Sequence, residues 1–300
     1  MPVIEGENII EQENVNSSNE IDITQEQDKV QPQQPTIATV DVIDKQSPII
    51  FLFGAPNSGK TMTLVRLYRY LLKNQTSIVA DPSFVSNDGG NYESRCRNWD
   101  NDATSPKAAE ATKGIEFMLL GIWHNGNKIC QILESPGEKL FQPNSNNGDD
   151  FPVQYVSNII NSNNKKVYII LLEPNWKDQQ TRARYVARIN QLRTMMSRKD
   201  KVIFLYNKID ASLTLGNRGS VNIHSLKKLI NQDYVSLLDL FKNENPISKF
   251  WREYDCFLIP FQTGNYSTET DPNTNDTIKI FTPGKDNYPK HLWETIKKCL

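Results

Sequence analysis

The sequence predicts an α/β fold in which a mostly parallel sheet of about six strands has helices on both faces. Two observations carry this prediction: apolar runs of strand length alternate with runs of helix length, and several of the apolar runs are continuous. Continuous apolar runs are typical of parallel strands that are buried on both faces. An alternation of strands and helices favours a layered α/β architecture.

The expected elements begin at residue 49. The residue pattern predicts strands over 49–53, 115–123, 128–134, 166–173, 201–207 and 256–260, and helices over 60–72, 153–161, 179–197, 225–241 and 289–298. Asn125-Gly126 lies between the second and third strands, and Asn-Gly between two extended runs is a strong hairpin signal. We therefore expect one antiparallel hairpin strand within the parallel sheet.

The first 46 residues differ from the rest of the chain. They hold ten acidic residues against two lysines, a net charge of −8, and contain no Phe, Trp or Tyr. The other 254 residues carry 32 basic and 25 acidic groups, a net charge of +7. A segment without large side chains cannot offset its own ordering entropy. We expect a disordered acidic tail over 1–46, in which 37–43 is an edge strand or a linker, and one domain over 47–300.

Composition argues against several classes of protein. The net charge of −1 argues against a strong nucleic-acid or membrane field, and no apolar run approaches the roughly 20 residues of a membrane span. Cys299 is second from the end, so the chain carries no prenylation signal. The four cysteines are scattered without a CxxC pair, which fits a reducing cytoplasm. We expect a cytoplasmic protein with no nucleic-acid partner, no membrane span and no lipid anchor.

A phosphate-binding loop is predicted over residues 54–61, which read GAPNSGKT and match GxxxxGK[ST] at every fixed position. A buried strand precedes the motif and an amphipathic helix follows it, as the motif requires. Its glycines allow backbone N–H groups to cradle phosphate oxygens, and the helix N-terminus adds its positive end. Lys60 should reach the β- and γ-phosphates, and Thr61 should ligate Mg²⁺. The expected nucleotide-binding residues here are Gly54, Asn57, Ser58, Gly59, Lys60, Thr61 and Met62.

A base-reading motif is predicted over residues 207–210, which read NKID and directly follow the apolar run VIFLY. A carboxylate accepts from the N1–H and the exocyclic amine of guanine together, which adenine cannot match, and Asp210 would take that role. Asn207 would support the loop and the purine edge, and the Lys208 stem would cover the ring face. The alternative interpretation is a polar turn in which Asp210 caps a helix.

With these two motifs, residues 47–300 resemble the translation-factor-like (TRAFAC) class of P-loop GTPases, which have a Ras-like domain. The chain is also similar to prokaryotic small-GTPase-like proteins, including the double-GTPase families. The resemblance implies a three-layer P-loop NTPase fold, with GTP or GDP as ligand and Mg²⁺ as cofactor. A hairpin between the second and third strands is itself typical of the class.

The class has DxxG at the end of its third strand, where this chain reads Glu134-Ser135-Pro136-Gly137. Gly137 fits the site where a backbone N–H meets the γ-phosphate, and Glu134 would contact Mg²⁺ with a side chain one methylene longer. Glu138 stands where Ras-like enzymes place a water-orienting Gln, and a carboxylate there faces the charge of the γ-phosphate. We therefore expect slow hydrolysis or the use of another residue. The alternative is a plain proline turn.

The first switch is expected within a long insert over about 73–114. The resemblance implies a threonine that closes over Mg²⁺ and the γ-phosphate shortly before the second strand, and Thr112 fits best. Arg95, Arg97 and Lys113 flank this region. Either one of them acts as an arginine finger in cis, or all are solvated surface charges.

The last base-binding loop is expected at Thr263, after the final strand, where a backbone N–H would meet the guanine O6. This loop departs from the family triplet Ser-Ala-Lys. The main hypothesis is a switch that binds and slowly hydrolyses GTP, with catalytic residues Lys60, Thr112, Gly137 and Glu138. The switch segments and the acidic tail would contact a protein effector or regulator. The alternatives are a GTP-binding scaffold with little hydrolysis, and a P-loop ATPase or kinase, against which residues 207–210 argue.

Overall fold

The computed structural model describes residues 39–106, 117–141, 151–209, 223–243, 253–270, 275 and 277–300. The strands are β1 (Thr39–Val40), β2 (Ile49–Phe53), β3 (Thr76–Ala80), β4 (Val85–Ser86), β5 (Met118–His124), β6 (Asn127–Glu134), β7 (Lys166–Leu172), β8 (Lys201–Tyr206), β9 (Phe257–Pro260), β10 (Gly264–Thr270) and β11 (Thr277–Pro283). The main sheet has the order β3-β5-β6-β2-β7-β8-β9. Strands β6, β2, β7, β8 and β9 are parallel, whereas β5 is antiparallel to both β6 and β3.

The helices are α1 (Lys60–Lys73), α2 (Asn91–Thr104), α3 (Gly137–Leu140), α4 (Gln154–Asn161), α5 (Gln179–Thr194), α6 (Ile223–Asp233) and α7 (Asn287–Cys299). The chain moves from β2 towards β6, and later from β7 towards β9, in opposite directions along the sheet. Right-handed connections then place α1 and the pair α5 and α6 on opposite faces. Helix α7 packs beside α1. The predicted α/β class with helices on both faces is confirmed.

The centre of the sheet is buried because its strands are continuous apolar runs. All five residues of β2 and all seven of β7 are buried. Between β5 and β6, Asn125 and Gly126 both adopt positive φ values of 50° and 76°. Two such residues in succession form the tight turn that matches the twist of a hairpin, so the predicted hairpin is confirmed.

Three elements differ from the sequence prediction. Among the described residues the main sheet has seven strands, against the predicted six, because β3 forms within the predicted insert and pairs with β5. The helix predicted over 225–241 ends at Asp233, and Ser236 adopts a left-handed φ of 64° that no helix accommodates. The polar stretch after β9 forms an antiparallel hairpin of β10 and β11.

The segment before β2 packs against the sheet. Within the predicted range 37–43, the described residues Thr39 and Val40 form β1, which pairs with β4. The charge pattern groups residues 39–46 with the tail, yet Val42 is buried and the carbonyl of Asp44 accepts a 3.1 Å hydrogen bond from Gln131. Residues 1–38, and with them most of the expected tail, lie outside the described residues.

The direction of the strands decides where functional side chains can meet. The carboxyl ends of β2, β6, β7, β8 and β9 lie at one edge of the sheet because these strands are parallel. Ligands of open α/β sheets bind outside this edge, near the point where the strand order reverses. In this sheet that point is the carboxyl end of β2. Within the described ranges, no helix is long and apolar enough to cross a bilayer.

Candidate functional site

The loop between β2 and α1 lies at this edge and has little room for side chains. Asn57 and Gly59 adopt left-handed φ values of 60° and 88°, which turn the chain sharply before α1. A Cβ atom on Gly54 would lie 2.5 Å from the hydroxyl of Ser58 and 3.2 Å from Cβ of Leu171, so a larger residue would crowd both neighbours. The loop therefore has the tight backbone that a phosphate cradle requires.

The lysine of the motif is buried under this loop. Lys60 Nζ donates to the carbonyls of Gly54 and Ala55, at 3.0 Å each. Burial lowers the pKa of Lys60, while the carboxylates of Glu134, Glu138 and Glu173 raise it, with burial the largest influence. The ammonium group is thus held inside the loop by backbone oxygens and lies within the field of three acids.

The next residue joins the loop to the end of β6. The hydroxyl of Thr61 donates a 2.6 Å hydrogen bond to Oε1 of Glu134. Glu134 is buried, and burial raises its pKa to about 7, although Lys60 and the Thr61 hydroxyl act in the opposite direction. Its second oxygen, Oε2, is buried without a hydrogen-bond partner in the described part of the chain. A hydroxyl beside an unsatisfied carboxylate oxygen is a donor set that suits Mg²⁺.

The segment after β6 lies directly on the phosphate loop. A Cβ atom on Gly137 would come within 2.3 Å of the backbone nitrogen of Pro56, so only glycine fits this contact. Glu138, the next residue, is exposed at the start of α3. The structure therefore brings Gly137 and Glu138 to the phosphate loop, with the carboxylate on the solvent side.

The base motif is attached to the same loop. Asn207 is buried, and its Nδ2 donates a 2.9 Å hydrogen bond to the carbonyl of Ser58. Lys208 has a left-handed φ of 53°, and its Nζ donates a 2.8 Å hydrogen bond to the carbonyl of Asn57. Two side chains after β8 thus hold two consecutive carbonyls of the loop after β2.

Glu173, directly after β7, is a site residue that the sequence analysis missed. Its nearly buried carboxylate forms a short ion pair with Lys208. Burial raises the pKa of Glu173, and Lys208 and Lys60 lower it. The one available signal was an acid that follows a continuous apolar strand. An acid in that place is also a common way for a strand to end in a polar turn.

The loop after β9 lies beside the base motif. The backbone N–H groups of Phe261 and Ile209 donate to the carbonyls of Tyr206 (2.8 Å) and Phe261 (3.4 Å), respectively. Thr263 is mostly buried, and its hydroxyl lies 3.4 Å from that of Tyr266. Thr263 therefore reaches the same edge of the sheet as Asn207.

The structure describes only some of the other predicted residues. Thr112 and Asp210 lie outside the described residues. Met62 is half-buried in the first turn of α1 and packs against the core. Arg97 forms an ion pair of exposed side chains with Glu93, 2.6 Å apart. Among the residues that the structure describes, no group of three or more His, Cys, Asp or Glu side chains could hold a metal ion.

The insert after α1 is partly folded. Trp99 of α2 is buried and meets the ring of Tyr68 edge to face at a centroid distance of 5.9 Å. Tyr92 is also buried, and its hydroxyl accepts a 3.1 Å hydrogen bond from the backbone N–H of Leu119. Helix α2, which lies within the range predicted for the first switch, is therefore anchored on α1 and β5.

No family model matches the chain. No curated protein matches it either. Among solved structures, similarity is found to a nucleolar GTP-binding protein 1 from Plasmodium falciparum at 16 % identity and a TM-score of 0.39, covering 75 % of this chain and 81 % of that one. The Roco2 protein of Methanosarcina barkeri bound to GDP matches at 12 % identity and a TM-score of 0.35, covering 89 % and 51 % of the two chains.

A bacterial selenocysteine-specific elongation factor matches at 14 % identity and a TM-score of 0.38, covering 85 % of this chain and 28 % of the factor. The chain thus spans about half of the Roco protein and less than a third of the elongation factor. These likenesses are weak, and the fold assignment rests on the protein's own sheet order and motif positions. A GxxxxGK[ST] loop between the central strand β2 and α1, in a mostly parallel sheet with helices on both faces, is typical of a P-loop NTPase fold.

Proposed function

We propose that this protein binds guanine nucleotides with Mg²⁺ and slowly hydrolyses GTP to GDP. One observation carries the proposal: Asn207 and Lys208 of the base motif donate to the carbonyls of Ser58 and Asn57 in the phosphate loop. Two motifs about 150 residues apart are therefore parts of one site. A base and a polyphosphate joined by one ribose would fill both parts.

Each residue in the site has a specific task in this proposal. Lys60 exchanges its two loop carbonyls for the β- and γ-phosphates and offsets their charge. Gly137 donates its backbone N–H to the γ-phosphate, and Asp210 accepts from the guanine. Thr112 closes over the site when GTP is bound. Glu173 keeps Lys208 beside the phosphate loop through its ion pair.

The site fits a magnesium ion because Thr61 and Glu134 supply oxygen donors and Glu134 Oε2 is unsatisfied among the described residues. Thr61 and Glu134 would hold the ion, joined by Thr112. When bound, Mg²⁺ neutralises charge on the phosphates. Without a partner, such sites turn over at about 10⁻⁴–10⁻² s⁻¹. We therefore expect a regulator to act through the switch segments, and an effector to bind there or at the acidic tail.

The proposal is tested first by binding. The purified 300-residue chain with Mg²⁺ should bind GTP and GDP at least about a hundredfold more tightly than ATP, because sites that hydrogen-bond a polar substrate group reject analogues lacking it. Asp210→Ala should remove the preference for guanine nucleotides. The control Asp102→Ala, in helix α2, should keep it. Equal affinity for ATP, with Asp210→Ala harmless, would support an ATPase or kinase instead.

A GTP-binding scaffold is the second candidate, favoured by the carboxylate of Glu138. This group is exposed beside the loop and close enough to raise the pKa of Lys60. A negative charge there opposes the approach of a nucleophile to the γ-phosphate. Single-turnover hydrolysis decides between the two: turnover above the Lys60→Ala background supports the enzyme, and none supports the scaffold.

The proposed location is the cytoplasm. The four cysteines are scattered along the chain without a CxxC pair, and Cys130, Cys256 and Cys299 are buried. Cysteines in this pattern fit a reducing compartment. Cell fractionation that finds the protein in an oxidising compartment would contradict this proposal.

A further inference from the structure

A fully buried arginine lies in the helix that follows the phosphate loop. Arg66 is in α1, six positions after Lys60, and its side chain has no exposed surface. Its Nη2 donates to the carbonyl of Gly284 at 2.7 Å and to Oδ1 of Asp286 at 2.6 Å. Its Nε and Nη1 are buried without hydrogen-bond partners in the described ranges. Both acceptors lie in the short segment between β11 and α7.

The segment that Arg66 holds is joined to the loop after β9. The N–H of Gly284 donates a 3.2 Å hydrogen bond to the carbonyl of Thr263. A Cβ atom on Gly264 would lie 2.2 Å from the carbonyl oxygen of Thr282 and 2.8 Å from the nitrogen of Gly284. The two ends of the β10–β11 hairpin are therefore in direct backbone contact, so a shift of Gly284 moves Thr263 with it.

Two cations hold the carboxylate of Asp286 and differ in burial. Arg66 on Oδ1 is fully buried, whereas Lys73 lies 3.2 Å from Oδ2 and is well exposed. The hydrogen bond from Arg66, followed by that from Lys73, lowers the pKa of Asp286, so the pair is charged at neutral pH. The Arg66 end of this charge-assisted bond is shielded from water, so breaking the bond leaves a buried guanidinium charge uncompensated. The exposed pair is screened by solvent.

We propose that Arg66 is a positioning residue for the guanine base, because it holds Gly284 and thereby fixes the backbone of the loop at Thr263. This inference rests on the proposed function and on the sequence-based prediction that a backbone N–H of the loop at Thr263 meets the 6-oxo group of the base. The phosphate side is held by separate contacts, from Lys60 to the loop carbonyls and from Thr61 to Glu134. Weakening the Arg66 contacts therefore lowers affinity for the base and spares affinity for phosphate.

The test measures equilibrium binding of GDP, IDP and inorganic triphosphate, with Mg²⁺, to the full chain and to Arg66→Lys and Asp286→Asn. IDP keeps the 6-oxo group and lacks the exocyclic amine, from which Asp210 would accept a hydrogen bond. In both variants the affinities for GDP and for IDP should fall by the same factor, on the order of tenfold. This is the size of the effect expected when one charge-assisted hydrogen bond is lost. Triphosphate affinity should change less than about twofold. Lys73→Gln, which removes the exposed pair with the same carboxylate, should change none of the three.

Three outcomes overturn the inference. The first is that triphosphate affinity falls by the same factor as GDP affinity. Arg66 would then stabilise the fold in general and would not position the base. The second is unchanged GDP affinity in a folded Arg66→Lys. If that variant does not fold, Asp286→Asn carries the test, because Asp286 is half exposed. The third is a wild-type protein that binds GDP no better than ADP, and only this outcome removes the proposed function as well.

Discussion

The phosphate side and the base side of the site are held by contacts of different reach. On the phosphate side, Lys60 bonds to carbonyls five and six positions earlier in the chain, and Thr61 bonds to Glu134, 73 positions later. On the base side, Asn207 and Lys208 bond to residues 149 and 151 positions away. Arg66 reaches Gly284 across 218 positions.

This difference decides what each side depends on. The phosphate loop takes its shape from a short stretch of sequence, with left-handed turns at Asn57 and Gly59. The base side is assembled by the packing of distant strands, so changes elsewhere in the fold reach it more easily. Substitutions on the phosphate side should therefore weaken binding of every polyphosphate. Substitutions on the base side should lower stability and base selectivity.

The largest expected effect tests the phosphate side directly. Lys60→Ala should weaken binding of GTP, ATP and triphosphate alike by about a thousandfold, because charge-assisted bonds of roughly 1.5–3 kcal/mol each are lost. Calorimetry on the full chain measures this. Lys290→Ala, an exposed lysine of α7, is the matched control. A loss confined to guanine nucleotides would mean that the two sides are not separate.

The acid of the phosphate side gives a pH-dependent effect. Burial raises the pKa of Glu134 from 4.5 to about 7, so between these pH values the folded protein binds a proton that the unfolded chain has released. The free energy of unfolding should therefore fall as pH rises through this window, by about 3 kcal/mol. Urea unfolding of nucleotide-free, Mg²⁺-free protein at about pH 5 and about pH 8 measures it.

Two variants isolate the carboxyl group responsible for this pH dependence. The side chain that Glu134→Gln introduces cannot ionise, so this variant should lose the Glu134 contribution to the change of the free energy of unfolding with pH. Glu93→Gln removes a carboxylate from an exposed pair and should retain it. Equal slopes in the wild type and Glu134→Gln would show that Glu134 is already ionised when the site is empty.

The same contrast explains what the sequence could predict. The phosphate loop was predictable because its motif is local, and so was the hairpin turn at Asn125 and Gly126. Strand β3 was not predictable from its own sequence, because its place at the sheet edge comes from pairing with β5. Arg66 gave no signal, since an arginine in an amphipathic helix is ordinarily solvated.

Glu173 was missed for a related reason. Its partners Lys208 and Lys60 are brought to it only by the order of strands β2, β7 and β8. A residue's spacing along the chain carries no information about such neighbours. Motifs thus indicated where the site begins, and the sheet order determined which other side chains complete it.

A smaller effect tests the hydrogen bond that connects the base side to the phosphate side. Asn207→Ala removes the 2.9 Å bond to the Ser58 carbonyl and should lower the free energy of unfolding by about 1–3 kcal/mol. GDP affinity should fall more than triphosphate affinity, because the base motif loses its attachment. Urea unfolding and binding assays measure both, with Asn161→Ala as the control, because Asn161 is exposed and its amide donates to the hydroxyl of Ser157. Equal stability of Asn207→Ala and wild type would contradict the claim that this hydrogen bond attaches the base motif to the phosphate loop.

The smallest expected effect lies outside both sides, at Arg97. Its side chain is 66 % exposed and pairs with Glu93 one turn earlier in α2. Exposed pairs of this kind contribute less than about 0.5 kcal/mol, so Arg97→Ala should barely change stability. Single-turnover GTP hydrolysis should also change less than about twofold, because an arginine finger is worth 10³–10⁵ in rate. If the hydrolysis rate of Arg97→Ala fell tenfold or more while GTP affinity stayed unchanged, α2 would bring Arg97 to the γ-phosphate. The site would then include α2 in addition to the phosphate side and the base side.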